Sequence, residues 1–173
     1  MLGGAPMSGA SPEYHFGGPG GTNWLWVLFE EEDGSSWCAS FCGGDSNYSD
    51  VLFLGSGRNV FVVSRGRGYW LDPEQKRLLH TTECSIITTA IAVPDGRLVV
   101  FADFTDLFAT GVDGLLWRSR QVALDGVRLL RATSDRVWGD ARGYRVGQDE
   151  WQPFEVDLAT GTVRGGAWDL EPR

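Results

Sequence analysis

A tight turn opened by an aspartate recurs along this chain at nearly even intervals, and no other feature limits the possible folds as strongly. Asp33 opens Asp-Gly-Ser-Ser-Trp37, Asp72 opens Asp-Pro-Glu-Gln-Lys-Arg-Leu78, Asp113 opens Asp-Gly-Leu-Leu-Trp117 and Asp157 opens Asp-Leu-Ala-Thr-Gly-Thr-Val163. Each turn lies between two apolar runs, and the spacings are 39, 41 and 44 residues. A period of this length marks a supersecondary unit that buries its apolar face only by stacking on its neighbours.

The units read as β structure. Trp24–Phe29, Val51–Leu54, Asn59–Val63, Ile86–Ile91, Leu98–Phe101, Val127–Leu130 and Phe154–Val156 are short apolar runs that suit strands. Asp-Gly at 33–34, 95–96, 113–114 and 125–126 predicts two-residue type I′ hairpin turns, in which both residues take positive φ. Glycine makes up 24 of 173 residues, about twice its usual share, as a chain of many turns requires. The longest window without Gly or Pro, residues 74–93, is rich in β-branched side chains and predicts strand rather than helix.

Two further strands fit between successive hairpins, but only one fits before Asp33. The expected fold is all-β: an antiparallel up-and-down meander of propeller-like repeats, three four-stranded units plus one hairpin. The alternatives are a β-sandwich or an open barrel. The count is a strand pair short of four blades, the lower limit for closure, so either the sheet stays open, or the N-terminal arm or a second subunit completes it. Residues 1–23, with seven Gly and three Pro, predict a flexible arm pinned at Tyr14 and Phe16, and residues 24–173 a single all-β domain.

Asp113-Gly-Leu-Leu-Trp117-Arg118 and its fainter echo Asp33-Gly-Ser-Ser-Trp37 resemble the repeat of quinoprotein-type β-propellers, where a Gly and a Trp mark the outer hairpin of each blade. The run from Pro153 to Gly166 looks like the ending of uncharacterised bacterial β-meander repeat proteins. The resemblance implies a fold and not an activity.

With 15 basic against 23 acidic side chains the net charge is −8, which argues against a nucleic-acid partner, because such affinity comes from Lys and Arg displacing counterions. An acidic protein attracts a basic protein instead. Lys76 is the one lysine among 14 arginines, a codon bias expected of a GC-rich bacterial genome. Three cysteines and a start without basic or long apolar regions predict a cytoplasmic protein with reduced thiols and no membrane segment.

Candidate sites are few. Cys38 and Cys42 with His80 and Cys84 are ligand types zinc prefers, but on strands each pair spans about 13 Å, so the thiols read as small core residues and no metal is expected. Asp45, Asn47 and Asp50 are oxygen donors without the rest of a calcium loop. His80 and Cys84 form the sole conceivable catalytic dyad, also too far apart on a strand, and no nucleotide or hydrolase motif is present, so the expectation is a non-enzyme without cofactors. The acidic run Glu30, Glu31, Glu32 and Asp33 is a candidate docking patch, and Arg65, Arg67, Tyr69 and Trp70 a candidate stacking site for a ligand. The eight tryptophans read mostly as core, and as an interaction surface wherever several face outward.

The resulting expectation is a non-catalytic protein-binding module of bacterial type, either immunity- or antitoxin-like or an accessory protein, with a basic partner. The alternatives are a carbohydrate- or small-ligand-binding β module and a homo-oligomer in which a second copy completes the sheet.

Overall fold

The computed structural model describes residues 11–18, 24–55, 58–145 and 148–168, with only the backbone described at 144, 145, 148 and 149. Most of the expected arm, residues 1–10 and 19–23, lies outside the described residues. The elements in chain order are β1 (Glu13–Phe16), β2 (Trp24–Glu30), β3 (Ser36–Cys42), β4 (Asp50–Leu54), β5 (Asn59–Ser64), β6 (Arg67–Asp72), β7 (Arg77–Thr81), β8 (Thr89–Ala92), β9 (Val99–Ala102), β10 (Leu107–Gly111), β11 (Gly114–Arg118), β12 (Val127–Ala132), β13 (Arg136–Arg145), β14 (Gln148–Asp157) and β15 (Val163–Gly165).

They form four sheets: β1-β3-β2, then β4 to β7, β8 to β11 and β12 to β15, each of the last three in sequence order. Three four-stranded meanders and one hairpin are what the strand count predicts. The departure is β1, which joins β3 in parallel, with Glu13 opposite Cys38 and Phe16 opposite Phe41. Part of the expected arm is thus a strand, and the fold is antiparallel everywhere else among the described pairs. Tyr14 meets Trp37 edge-on at 5.4 Å and Phe16 stacks on Phe41 at 5.4 Å, so aromatic burial offsets the ordering cost of so short a strand.

The recurring aspartates sit at the last hairpin of each sheet, where three of them cap their own turns. Asp33 accepts from the Ser35 amide at 2.8 Å, Asp72 from Gln75 at 2.9 Å, and Asp157 from Ala159 and Thr160 at 3.1 and 3.0 Å. An aspartate that satisfies turn amides this way is the physical basis of the repeat. The expected type I′ geometry is not found at the Asp-Gly pairs. There Gly34, Gly96, Gly114 and Gly126 have positive φ but the aspartates do not. Two-residue I′ geometry occurs instead at Arg65–Gly66, between β5 and β6, where φ is 44° and 93°. The expected strand at 86–91 begins only at Thr89.

Three apolar clusters join the four sheets. The first packs Val27, Phe29, Trp37 and Phe41 on Val60, Val62, Tyr69 and Leu71, joining the first and second sheets. The next packs Phe61, Val63 and Trp70 on Val99, Phe101 and Phe108, joining the second and third. The last packs Val100, Leu107 and Ala109 on Val137, Phe154 and Val156, joining the third and fourth. The first strand of each complete sheet touches that of the next, β4 to β8 and β8 to β12. Adjacent hairpins meet as well. Lys76 reaches back to Trp37 at 5.9 Å and to Glu31 at 3.0 Å, and the ring of His80 lies against Gly114. Among the described residues no apolar cluster joins the fourth sheet to the first, so one face of each end sheet is uncovered.

Candidate binding surface

The uncovered face of the fourth sheet follows from strand alternation. Val137, Ala141, Phe154 and Val156 point to the third sheet, so their neighbours Arg136, Trp138, Trp151 and Glu155 point away. On β12 the register shifts between Leu129 and Arg131, and Leu130 in this bulge is 61% exposed. The guanidinium of Arg128 lies 3.7 Å from the Trp151 ring centroid, and that of Arg131 4.1 Å from Trp138. The Trp138 indole donates to Glu155 Oε2 at 3.0 Å, and Arg136 forms an ion pair with Glu155 Oε1. A cleft of about 210 Å³ between Arg136, Glu155, Asp157, Thr160, Thr162 and Arg164 borders this ladder. The ladder presents flat indole and guanidinium groups held by each other, the side-chain types that dominate interface energetics.

The uncovered face of the first sheet has a different character. Trp24, Trp26, Leu28 and Glu30 alternate with the buried side of β2, and His15 on β1 donates to or accepts from Ser40 Oγ at 2.6 Å while meeting Trp26 edge-on at 5.9 Å. Of the acidic run, Glu30, Glu31, Glu32 and Asp33 are all exposed. Glu31 is paired with Lys76, and hydrogen bonds from Ser35 hold the Asp33 carboxyl below its ordinary pKa.

The proposed stacking site does not form. Tyr69 and Trp70 are fully buried, because the second sheet is covered on both faces: Tyr69 joins the cluster with the first sheet and Trp70 the cluster with the third. Tyr69 donates its hydroxyl to the Cys42 carbonyl at 2.7 Å, and Trp70 its indole N–H to Thr110 Oγ1 at 3.3 Å. Burial raises the Tyr69 pKa. Arg65 and Arg67 are half-buried around the β5–β6 turn, and Arg65 donates weakly to Asn47 Oδ1 at 3.5 Å. These four residues shape the second sheet and its turn and present no aromatic platform to solvent.

The metal and dyad candidates also disperse. Asp45 accepts from Ser85, Asn47 from Arg65 and Asp50 from Tyr48, each engaged separately. Cys38 and Cys42 are buried four residues apart on β3, and all three cysteines are free. His80 and Cys84 do line one cavity of about 210 Å³ between the second and third sheets, because the chain leaves its strand after Thr81. Among the described contacts no hydrogen bond joins them, and burial pushes the Cys84 thiol up. Arg118 at the same cavity is held by Asp106 at 2.5 Å. Among the described residues no three His, Cys, Asp or Glu side chains converge on a point, and no helix is long and apolar enough to cross a membrane.

Arg128, Leu130 and Arg131 carry no recognisable motif, and sequence reading passes over them. The available signal is the run of arginines between residues 118 and 145 in a chain of net charge −8, preceded by Trp117 and interrupted by Trp138.

No family model and no curated protein matches the chain. Among solved structures it is similar to the β-propeller domain of the Trilobed protease from Pyrococcus furiosus, described as having an open velcro topology, with TM-score 0.57 and 8% identity over 82% of this chain and 49% of that one. A second similar structure is the WD40 domain of SCAP from fission yeast, with TM-score 0.42 and 8% identity over 82% of this chain and 33% of that one. The chain thus spans about half the length of the first and a third of the second. In fold, though at 8% identity not by shown descent, this chain is similar to a β-propeller domain.

Proposed function

We propose that the chain is a non-catalytic protein-binding module whose contact surfaces are the uncovered faces of its two end sheets. The observation that carries this reading is the ladder Arg128–Trp151, Arg131–Trp138 and Arg136–Glu155, with Leu130 exposed beside it. Half-buried Trp and exposed Arg held against each other in a rigid sheet lose little entropy on binding, and a sheet face of this kind suits a partner bearing carboxylates. The acidic turn Glu30–Asp33 at the other end supports contact with a basic partner. A non-enzymatic role is supported by the chemistry at His80 and Cys84, where burial disfavours the thiolate that a nucleophile requires. Three free thiols suit a reducing compartment such as the cytoplasm, and a small accessory or immunity-type protein is the setting this reading fits.

The test is comparative capture from the native host at low and high salt, with wild-type protein and the double variant Arg128→Glu/Arg131→Glu as baits. Partners recovered by the wild type and lost by a folded variant support the reading. An identical set from both baits, or unchanged recovery at high salt, counts against it. Tryptophan fluorescence that responds to a sugar or nucleotide panel would favour the small-ligand alternative instead.

A further inference from the structure

We propose that the two uncovered faces bind each other between two copies of the chain, the first sheet of each copy packing on the fourth sheet of the other to close a ring of eight sheets. This rests on the reading above that the end faces are contact surfaces, and it names their occupant.

The packing motif leaves the ends unequal to the middle. Among the described residues every sheet-to-sheet junction is an apolar cluster between facing strands, but four sheets in a row have only three such junctions. The unused faces are where a fourth junction belongs. On the first sheet that face carries Trp24, Trp26 and Leu28, the last 38% exposed. On the fourth it carries Trp138, Trp151 and Leu130.

Charge selects which faces meet. Glu13 and Glu30 lie on the uncovered side of the first sheet, with Glu32 and Asp33 in the adjoining turn. Arg128, Arg131 and Arg164 are exposed at the fourth sheet, where with Arg136 and Arg142 they outnumber the acids of the same face, Asp140, Glu155 and Asp157. Two first sheets face to face would set carboxylate against carboxylate, and two fourth sheets guanidinium against guanidinium, both unfavourable. Only the pairing of first with fourth brings together faces of opposite net charge. Such a head-to-tail contact either closes into a ring or propagates as a fibre. Closure at two copies is supported by size: 82% of this chain superposes on 49% of a propeller-domain chain, so two copies match the length of a whole one.

The experiment measures the mass of the full chain by light scattering and sedimentation, from low to high micromolar concentration and at low and high salt. The expected result is a species of twice the 19.0 kDa monomer mass that dissociates as salt rises. The folded variants Arg128→Glu/Arg131→Glu and Glu13→Arg/Glu30→Arg should each be monomeric, with self-affinity at least tenfold weaker. Mixed in equal amounts they should recover a dimer, because each reversed face then meets its reversed complement. A wild type monomeric at every concentration, a ladder of larger oligomers, a dimer unaffected by Arg128→Glu/Arg131→Glu, or failure of the folded variants to combine overturns the ring. A monomer that still loses captured partners on Arg128→Glu/Arg131→Glu overturns the ring alone and leaves the binding function standing.

Discussion

The indole N–H of Trp117 donates to the backbone carbonyl of Leu158 at 2.8 Å, tying the last hairpin of the third sheet to that of the fourth. The same ring fills the space over Gly161, where an added Cβ would lie 2.8 Å from its Cδ2 atom. Trp117 and Trp37 occupy the same place in the repeat, and both contact the turn of the following sheet. Replacing Trp117 by Phe keeps most of the ring and leaves the Leu158 carbonyl without this donor, so a loss of about 1 kcal/mol is expected. Replacing it by Ala also opens a cavity at the junction and should cost about 3 kcal/mol or more. Urea denaturation of the two variants measures both, and equal losses would show that the packing of the ring contributes nothing beyond the hydrogen bond.

Gly139 lets β13 and its neighbours come together at the centre of the fourth sheet. A Cβ there would sit 2.1 Å from the Arg128 carbonyl oxygen and 2.5 Å from Phe154 Cζ. Because one of these atoms is backbone, the clash cannot be relieved by a rotamer change alone, and Gly139→Ala should destabilise the fold by about 2 kcal/mol or more. Thermal unfolding checks this, and the exposed, unencumbered Gly18→Ala is the control expected to stay near wild type.

The turn aspartates make stability depend on pH at the acid end. Hydrogen bonds from Thr160 and neighbouring amides lower the Asp157 pKa, and those from Ser35 lower that of Asp33. A carboxylate held below its unfolded value near 3.8 adds stability that is present above about pH 4 and lost as pH falls through the folded value. Asp157→Asn retains an acceptor oxygen for the turn but no charge. The drop in melting temperature from pH 7 to pH 3 should therefore be smaller in this variant than in the wild type, and an unchanged drop would show that the turn is insensitive to ionisation.

The three thiols should separate by reactivity. Cys38 and Cys42 are buried, whereas Cys84 is half-buried at the cavity between the second and third sheets, its pKa raised by burial. An aromatic disulfide reagent should therefore modify one thiol per native chain, more slowly than a free cysteine at the same pH, and three in urea. Cys84→Ser should abolish the native reaction, and a remaining fast thiol would show that the first sheet opens readily.

The turn chemistry of Asp33, Asp72 and Asp157 and the apolar runs beside them were enough to determine an all-β meander and its period, whereas the expected shortfall of a strand pair is a single strand in the structure, because β1 joins the first sheet. Those signals act over a few residues, because an aspartate caps amides two or three positions ahead and a strand alternates with period two. What the tertiary structure alone decided is which alternating face is covered, since covering groups come from sheets about 40 residues away. Tyr69 and Trp70 read as a stacking site beside two arginines, yet a sheet on each side buries both rings. Trp138 reads as core and Arg131 carries no motif, yet the last sheet has no successor among the described residues to cover them, and the exposed guanidinium lies over the half-buried ring. Pinning of the arm at Tyr14 and Phe16 was legible, but its parallel pairing with β3 was not, because the rings those two side chains pack on, Trp37 and Phe41, come from a strand more than 20 residues away.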